Sequence, residues 1–318
     1  MKQNMIKNIN DRLKNNPCNN CGGNSGVVIV QGNDLLEDLP GTFQFIRCDA
    51  CGVLRQEPRL DWVDLNNYYQ PGYVCHSPQF SATKKTLKEH TRALGPKKRV
   101  NIVNKYKQNG KWLDVGCGSG LILQAAKESR QWSLFGVEPV KEMAEYTSAH
   151  LNVPVFAGTF EEYQGKESDY DIVSMWDVIE HLSKPFDAIK EVSKLLKTGG
   201  VFVFSTPNLN SIDRKIFKET WLGYDLPRHL YLFPDSLLRQ VLKSQGLEVL
   251  DRFCFTGSHG SLYLNLAYWN KHHQSRILEW LLTKGSEWFP FRLLTFLPLR
   301  IIDWLKLGTS ITYIARKV

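Results

Sequence analysis

A chain of 318 residues has room for one large domain or two modest ones, and 42% hydrophobic against 23% charged residues supports a packed core rather than a disordered chain. The formal net charge of +8 favours anionic partners, whether a phosphorylated substrate, a membrane surface or nucleic acid, without choosing among them. No run of about 18 apolar residues exists to span a bilayer, and the opening MKQNMIKNINDRLKNN lacks the apolar core of a secretion signal, so the expected location is cytoplasmic.

Residues 1–16 form a polar, Asn- and Lys-rich segment. Seven cysteines are too few for a disulfide scaffold, and their spacing points elsewhere. Cys18 and Cys21 make one C-x-x-C, Cys48 and Cys51 a second, and a glycine follows each. Four thiolates from two such knuckles can surround a tetrahedral Zn²⁺. Two independent redox pairs would be the alternative, but thioredoxin-like surroundings are missing. GVVIVQ and TFQFIRC alternate between the knuckles as strands, so 17–60 reads as a zinc ribbon. Cys75, Cys117 and Cys254 are left as packing thiols.

Residues 61–110 form a Tyr-rich connection followed by helix over 81–109. Tyr68, Tyr69 and Tyr73 can cover a ligand or pack the ribbon against the rest. From 111 to 318 strand and helix alternate, with strands expected at 111–115, 132–137, 154–157, 170–175 and 200–206 and helices at 119–130, 140–151 and 185–197. That alternation means an α/β fold whose parallel sheet is covered on both faces. A helix over 234–244, the strand LEVLDRFCF and the closing strand SITYIARK follow, the last two separated by an aromatic-rich helical insertion at about 258–308.

The stretch KWLDVGCGSG ends a strand in a glycine turn, which lets a ligand approach the backbone closely. The helical pattern Leu121 to Lys127 offers its first N–H groups to the same ligand. A dinucleotide fingerprint would be G-x-G-x-x-G, but here the spacing is G-x-G-x-G and Leu121 stands at the third position. Glu138 closes the second strand, at the offset from which a carboxylate reaches a ribose diol. No Arg or Lys lies in the turn to meet phosphate, so the pattern describes a nucleoside with a polar, amine-bearing tail.

LDVGCGSG, GVEP, DYDIVSMWDVIEHLSKP and LLKTGGVFVFSTPN, in that order, resemble the class I S-adenosylmethionine-dependent methyltransferases. The resemblance covers roughly 111–256 and the last strand. It implies a Rossmann-like domain with a parallel sheet and an antiparallel last strand. It also implies that Asp114, Gly116, Cys117, Gly118 and Gly120 hold the methionine part of the cofactor and Glu138 the ribose. Thr159 and Phe160 would then sit beside the adenine, with Trp176 and Asp177 facing the bound cofactor. RCDACGVLRQEPRLDWVDLNNYYQPGY and WLGYDLPRHLYLFPDSLLRQVL resemble the ribbon and acceptor loops of relatives acting on sugars and other small metabolites, the small-molecule and ubiquinone-type group.

The run from Asp177 to His181, DVIEH, carries two chemistries. Asp177, Glu180 and His181 can bind a divalent cation such as Mg²⁺, which acidifies a substrate hydroxyl. His181 alone can be a general base, or the group can support structure and cofactor placement. His229 lies in a loop past the fifth strand, where the acceptor is expected, and is the second candidate base; Arg228 beside it can meet an anionic group. The insertion RILEWLLTKGSEWFPFRLLTFLPLRIIDWLKLG is apolar on many faces. It suits a lid or dimer contact, and its Trp280, Trp288 and Trp304 also suit a peripheral membrane contact through 276–307.

The function expected is O-methylation of a small-molecule acceptor. An RNA methyltransferase is the alternative enzyme, but the strand end reads SMWD and no separate RNA-binding module is evident. A non-catalytic protein that merely binds the cofactor is the alternative of another class, and the intact Asp114 loop and Glu138 argue against it.

Overall fold

The computed structural model describes residues 17–69, 87–129, 131–254, 258–285 and 289–318. The expectations for 1–16, Tyr73, Cys75 and Trp288 lie outside the described residues.

The chain opens with three antiparallel strands, β1 (Gly26–Gly32), β2 (Phe43–Cys48) and β3 (Leu54–Glu57). Phe43 and Phe45 alternate with polar neighbours along β2, so one face of this small sheet turns inward. A short helix, α1 (Trp62–Leu65), is capped by Asp61, whose carboxylate accepts from the Asp64 N–H. The longer α2 (Leu87–Val103) then leads to the main sheet.

That sheet alternates with helices as the sequence predicts. Its first half runs β4 (Gly110–Val115), α3 (Leu121–Lys127), β5 (Trp132–Glu138), α4 (Lys141–Leu151) and β6 (Val155–Ala157). The second half runs β7 (Tyr170–Trp176), α5 (Pro185–Leu195) and β8 (Leu196–Pro207). Pro185 starts α5, where its missing N–H costs nothing, and Phe186, Ile189, Val192 and Leu195 recur at helical spacing to face the sheet. Val201 to Phe204 in β8 are fully buried, as a strand covered on both faces must be.

After α6 (Ile212–Phe217) and the two-residue β9 (Tyr231–Leu232) come α7 (Asp235–Ser244) and β10 (Leu247–Phe253). The insertion forms three helices, α8 (Ser258–His273), α9 (Arg276–Gly285) and α10 (Phe289–Trp304), before β11 (Ser310–Lys317). Sheet order is β10-β11-β8-β7-β4-β5-β6. β4, β5, β6, β7 and β8 are parallel, and β11 runs antiparallel between β8 and β10. This is the topology the resemblance implies.

One arrangement was not expected. β9 pairs with β3, Leu54 opposite Leu232 and Arg55 opposite Tyr231, and so completes the ribbon's sheet with residues from beyond the fifth parallel strand. The ribbon is stitched into the larger unit by backbone hydrogen bonds. Nothing in the spacing of residues 17–60 could show this, because a two-residue strand is defined by its partner and not by its own pattern.

Candidate active site

Between β4 and α3 the chain turns through Gly116, with φ +68°; a Cβ there would lie 2.5 Å from the Val178 side chain. Only glycine fits that close approach. The turn is pinned to β5, because the Gly116 and Cys117 N–H groups donate to the Val137 carbonyl at 2.8 and 3.1 Å. Glu138 accepts from the Gly118 N–H at 2.8 Å and from the Val140 N–H at 3.0 Å. Burial nevertheless raises the Glu138 carboxyl above its usual range, those two N–H bonds opposing the rise. These two bonds hold the carboxylate in place on the cavity wall.

Asp114 lies behind the turn rather than on the cavity wall. Trp112 Nε1 donates to Ser174 Oγ at 2.7 Å, and Ser174 donates to Asp114 Oδ1 at 2.6 Å. Burial pushes Asp114 up to about 7, against the pull of the Ser174 hydrogen bond and the Arg99 charge.

Gly116, Gly118, Glu138, Thr159, Phe160 and Trp176 line a cavity of about 330 Å³, which continues to Asp177, His181 and Tyr69. Phe160 and Trp176 supply flat apolar walls, 4% and 8% exposed. Asp177 has φ +57°, uncommon for a residue with a side chain. Ser205 holds it there from both ends: Ser205 Oγ accepts from the Asp177 N–H at 2.9 Å and donates to Oδ1 at 2.7 Å. Arg99 of α2 donates to the other oxygen at 3.0 Å, and its guanidinium carbon lies 5.0 Å over the Trp176 ring. Its buried Nε has no partner, so a cation with unused capacity stands beside the cavity's end. Sequence reasoning missed Arg99, which sits in a lysine-rich helix ahead of the glycine turn and the strand-end motifs.

Beyond Trp176 a 3₁₀ turn, Ile179–His181, brings Glu180 and His181 against the 225–230 loop. One ligating atom each of Glu180, His181 and His229 lies within 4.8 Å of the other two. Asp177 is not in this cluster. Of the expected Asp177, Glu180 and His181 set, the structure brings Glu180 and His181 together with His229, while Asp177 is engaged by Ser205 and Arg99. His181 Nδ1 lies 2.8 Å from the Arg228 carbonyl, and His229 Nδ1 lies 2.9 Å from the Gly223 carbonyl. A carbonyl oxygen only accepts, so each Nδ1 carries hydrogen and each Nε2 keeps a lone pair. Burial and then the neighbouring His229 push His181 down to about 3, so the ring is neutral. His229 is lowered as well, chiefly by burial. Glu180 is raised well above its usual range by burial and by Asp177, and its Oε2 has no hydrogen-bond partner.

Arg228 differs from expectation. It is fully buried between Asp34 and Asp225 and faces no anionic ligand. Of the tyrosines, Tyr69 reaches the cavity with its hydroxyl 3.0 Å from His181 Nδ1, whereas Tyr68 packs edge-on against Phe43 and donates to the Pro40 carbonyl. Cys117 and Cys254 are buried. In the ribbon, Cys18 and Cys51 sulfurs are 3.6 Å apart, as are those of Cys21 and Cys48, and all four lie within 4.8 Å of one another. A tetrahedron of sulfurs about 2.3 Å from a central Zn²⁺ has edges near this length.

The family described as "methyltransferase domain" matches residues 85–252, more than half of the chain. The chain belongs to that family and is a class I S-adenosylmethionine-dependent methyltransferase. A ubiquinone biosynthesis O-methyltransferase of Saccharophagus degradans is 32% identical over 120 residues, 35% of this chain and 50% of its own length. Its counterpart in Ruegeria pomeroyi is 28% identical over 218 residues, 60% of this chain and 79% of that one. A solved S-adenosylmethionine-dependent methyltransferase from Archaeoglobus fulgidus superposes with a TM-score of 0.48 at 20% identity, over 72% of this chain and 97% of that chain.

Proposed function

We propose that this protein methylates a hydroxyl of a small-molecule acceptor, with His181 as the base and a structural Zn²⁺ in the ribbon. One observation carries the reading: a single cavity is lined by the glycine turn and Glu138 at one end and by His181 at the other. The residues present fit the cofactor. Gly116 leaves the space that a Cβ would fill, Glu138 presents a carboxylate on the cavity wall, and Phe160 and Trp176 offer flat walls to a base. The unpaired Nε of Arg99 suits the carboxylate of the methionine part.

When bound, S-adenosylmethionine supplies a methyl group on a positively charged sulfur. The protein's part is to align the acceptor oxygen for in-line attack and to take its proton. His181 Nε2 can accept that proton because Nδ1–H is committed to the Arg228 carbonyl. The O-methyltransferase relatives support an oxygen acceptor.

The test is an assay of S-adenosylhomocysteine release across quinones, phenols and nucleotide sugars. His181→Ala should lower turnover by at least about 100-fold, the scale of an acid–base group, with S-adenosylhomocysteine affinity unchanged. Full turnover by that variant on the true acceptor would overturn the base assignment. Activity lost to EDTA and restored by Mg²⁺, with the ribbon metal retained, would instead assign Glu180, His181 and His229 to a divalent cation.

The outer face of α10 supports a peripheral membrane contact as well. Phe296, Leu297, Ile301 and Trp304 on the helix are exposed, and so is Leu305 just after it.

A further inference from the structure

We infer that the ribbon residue Asp34, acting through Arg228, sets the tautomer of His181, so that the ribbon takes part in positioning the base. This rests on the reading above, in which His181 accepts the acceptor's proton.

Asp34 is a rigid post. Its Oδ1 accepts from the Leu36 and Glu37 N–H groups at 3.0 and 3.2 Å, and its Oδ2 accepts from the Leu39 N–H at 3.4 Å. The same Oδ1 receives Arg228 Nη2 at 2.6 Å, with both side chains fully buried. Arg228 spends its other donors on Asp225 and on the Tyr68 carbonyl. With Asp34 neutralised Arg228 keeps Asp225 as its counter-charge but loses its charged tie to the ribbon, so Asp34 biases where the guanidinium, and with it the 225–230 loop that carries the Arg228 carbonyl, stands.

That main chain makes the decisive contact. His181 Nδ1 has two neighbours, the Arg228 carbonyl at 2.8 Å and the Tyr69 hydroxyl at 3.0 Å. The carbonyl can only accept and therefore requires hydrogen on Nδ1; the phenol can donate and would require a lone pair there. The two neutral forms of imidazole are close in energy, so the stronger partner chooses. With the carbonyl in place, Nε2 is free to act as a base. If the carbonyl withdraws, Tyr69 donates, hydrogen moves to Nε2, and the base is lost. Asp34 and Arg228 are positioning residues; neither needs to touch the acceptor.

The experiment is ¹⁵N NMR of histidine-labelled protein, with the His181 signals assigned through His181→Gln. Wild type should show hydrogen on Nδ1. Asp34→Asn keeps an oxygen for the turn but removes the charge, and should shift His181 toward the Nε2–H form. Its kcat should fall about 10- to 100-fold, part of the range an acid–base group supplies, with acceptor KM and S-adenosylhomocysteine affinity unchanged. Adding Tyr69→Phe removes the phenol's pull toward Nε2–H, so the shift should be smaller than in Asp34→Asn alone, which a merely structural role for Asp34 would not produce. Should Asp34→Asn fail to fold, Arg228→Lys, which keeps the charge and loses the fork, is read the same way. An unchanged His181 tautomer in the folded variant overturns the inference. A switched tautomer with unchanged kcat leaves the relay standing and overturns His181 as the base.

Discussion

Asp114 illustrates how far a single residue can be read without its surroundings. Its type and its place before the glycine turn were legible, because a strand ending in Asp-x-Gly-x-Gly has few other uses. Its proton was not legible, since burial arises only when β4 is sandwiched between β5 and β7. With a folded-state value near 7 against an unfolded value near 3.8, the folded chain holds this proton more tightly. Its contribution therefore favours folding at low pH and is lost as pH rises from about 4 through about 7. Asn mimics the protonated form and keeps an oxygen for Ser174. Asp114→Asn should raise the denaturation midpoint relative to wild type at pH 8, by clearly more than it does at pH 5, while weakening cofactor binding. Chemical denaturation at both pH values checks the first part and calorimetry with S-adenosylhomocysteine the second. Equal shifts at the two pH values would mean that Asp114 is already charged in the folded state. Arg99 and Asp34 were illegible for a related reason: an Arg in a charged helix and an Asp in a turn look like ordinary surface residues until the fold lays the one over Trp176 and buries the other.

Among elements, the parallel strands and their helices were readable from alternation and helical spacing, and β11 matches the expected SITYIARK. The ribbon's β1 and β2 were readable too, but β9 was not, and with it went the link between ribbon and acceptor loop. That link shapes what metal loss should do. If Zn²⁺ sits among Cys18, Cys21, Cys48 and Cys51, its binding free energy, on the order of 10 kcal/mol in isolated zinc modules, is largely folding free energy for the ribbon. One Zn²⁺ per chain should copurify, and Cys48→Ser should lose it. Because β3 pairs with β9, the damage should spread: amide exchange at Tyr231 and Leu232 should accelerate together with that of Leu54 and Arg55. Metal analysis finding no zinc, or fast exchange confined to residues 17–60, would show that the two sheets' fates are separate.

At the scale of the whole molecule, the proposed membrane contact rests on the +8 charge and the helical insertion together. Among the described residues no helix is long and apolar enough to cross a membrane. A helix lying flat on a bilayer needs only one apolar side with cations at its margin. On α10 the side formed by Phe296, Leu297, Ile301 and Trp304, the last 78% exposed, also carries Arg300, and exposed Lys306 follows the helix. The proposed partner is an anionic lipid surface, whose chemistry would meet both the apolar stripe and the charge. The protein should cosediment with vesicles containing phosphatidylglycerol and not with neutral phosphatidylcholine vesicles, and raising salt should weaken the binding as screening shortens the reach of the charges. Leu297→Glu combined with Trp304→Glu should abolish cosedimentation while leaving S-adenosylhomocysteine affinity unchanged, since neither residue lines the cavity. Lipid-independent dimerisation that the same two substitutions disrupt, with no vesicle binding by wild type, would assign this face to a second copy of the chain instead.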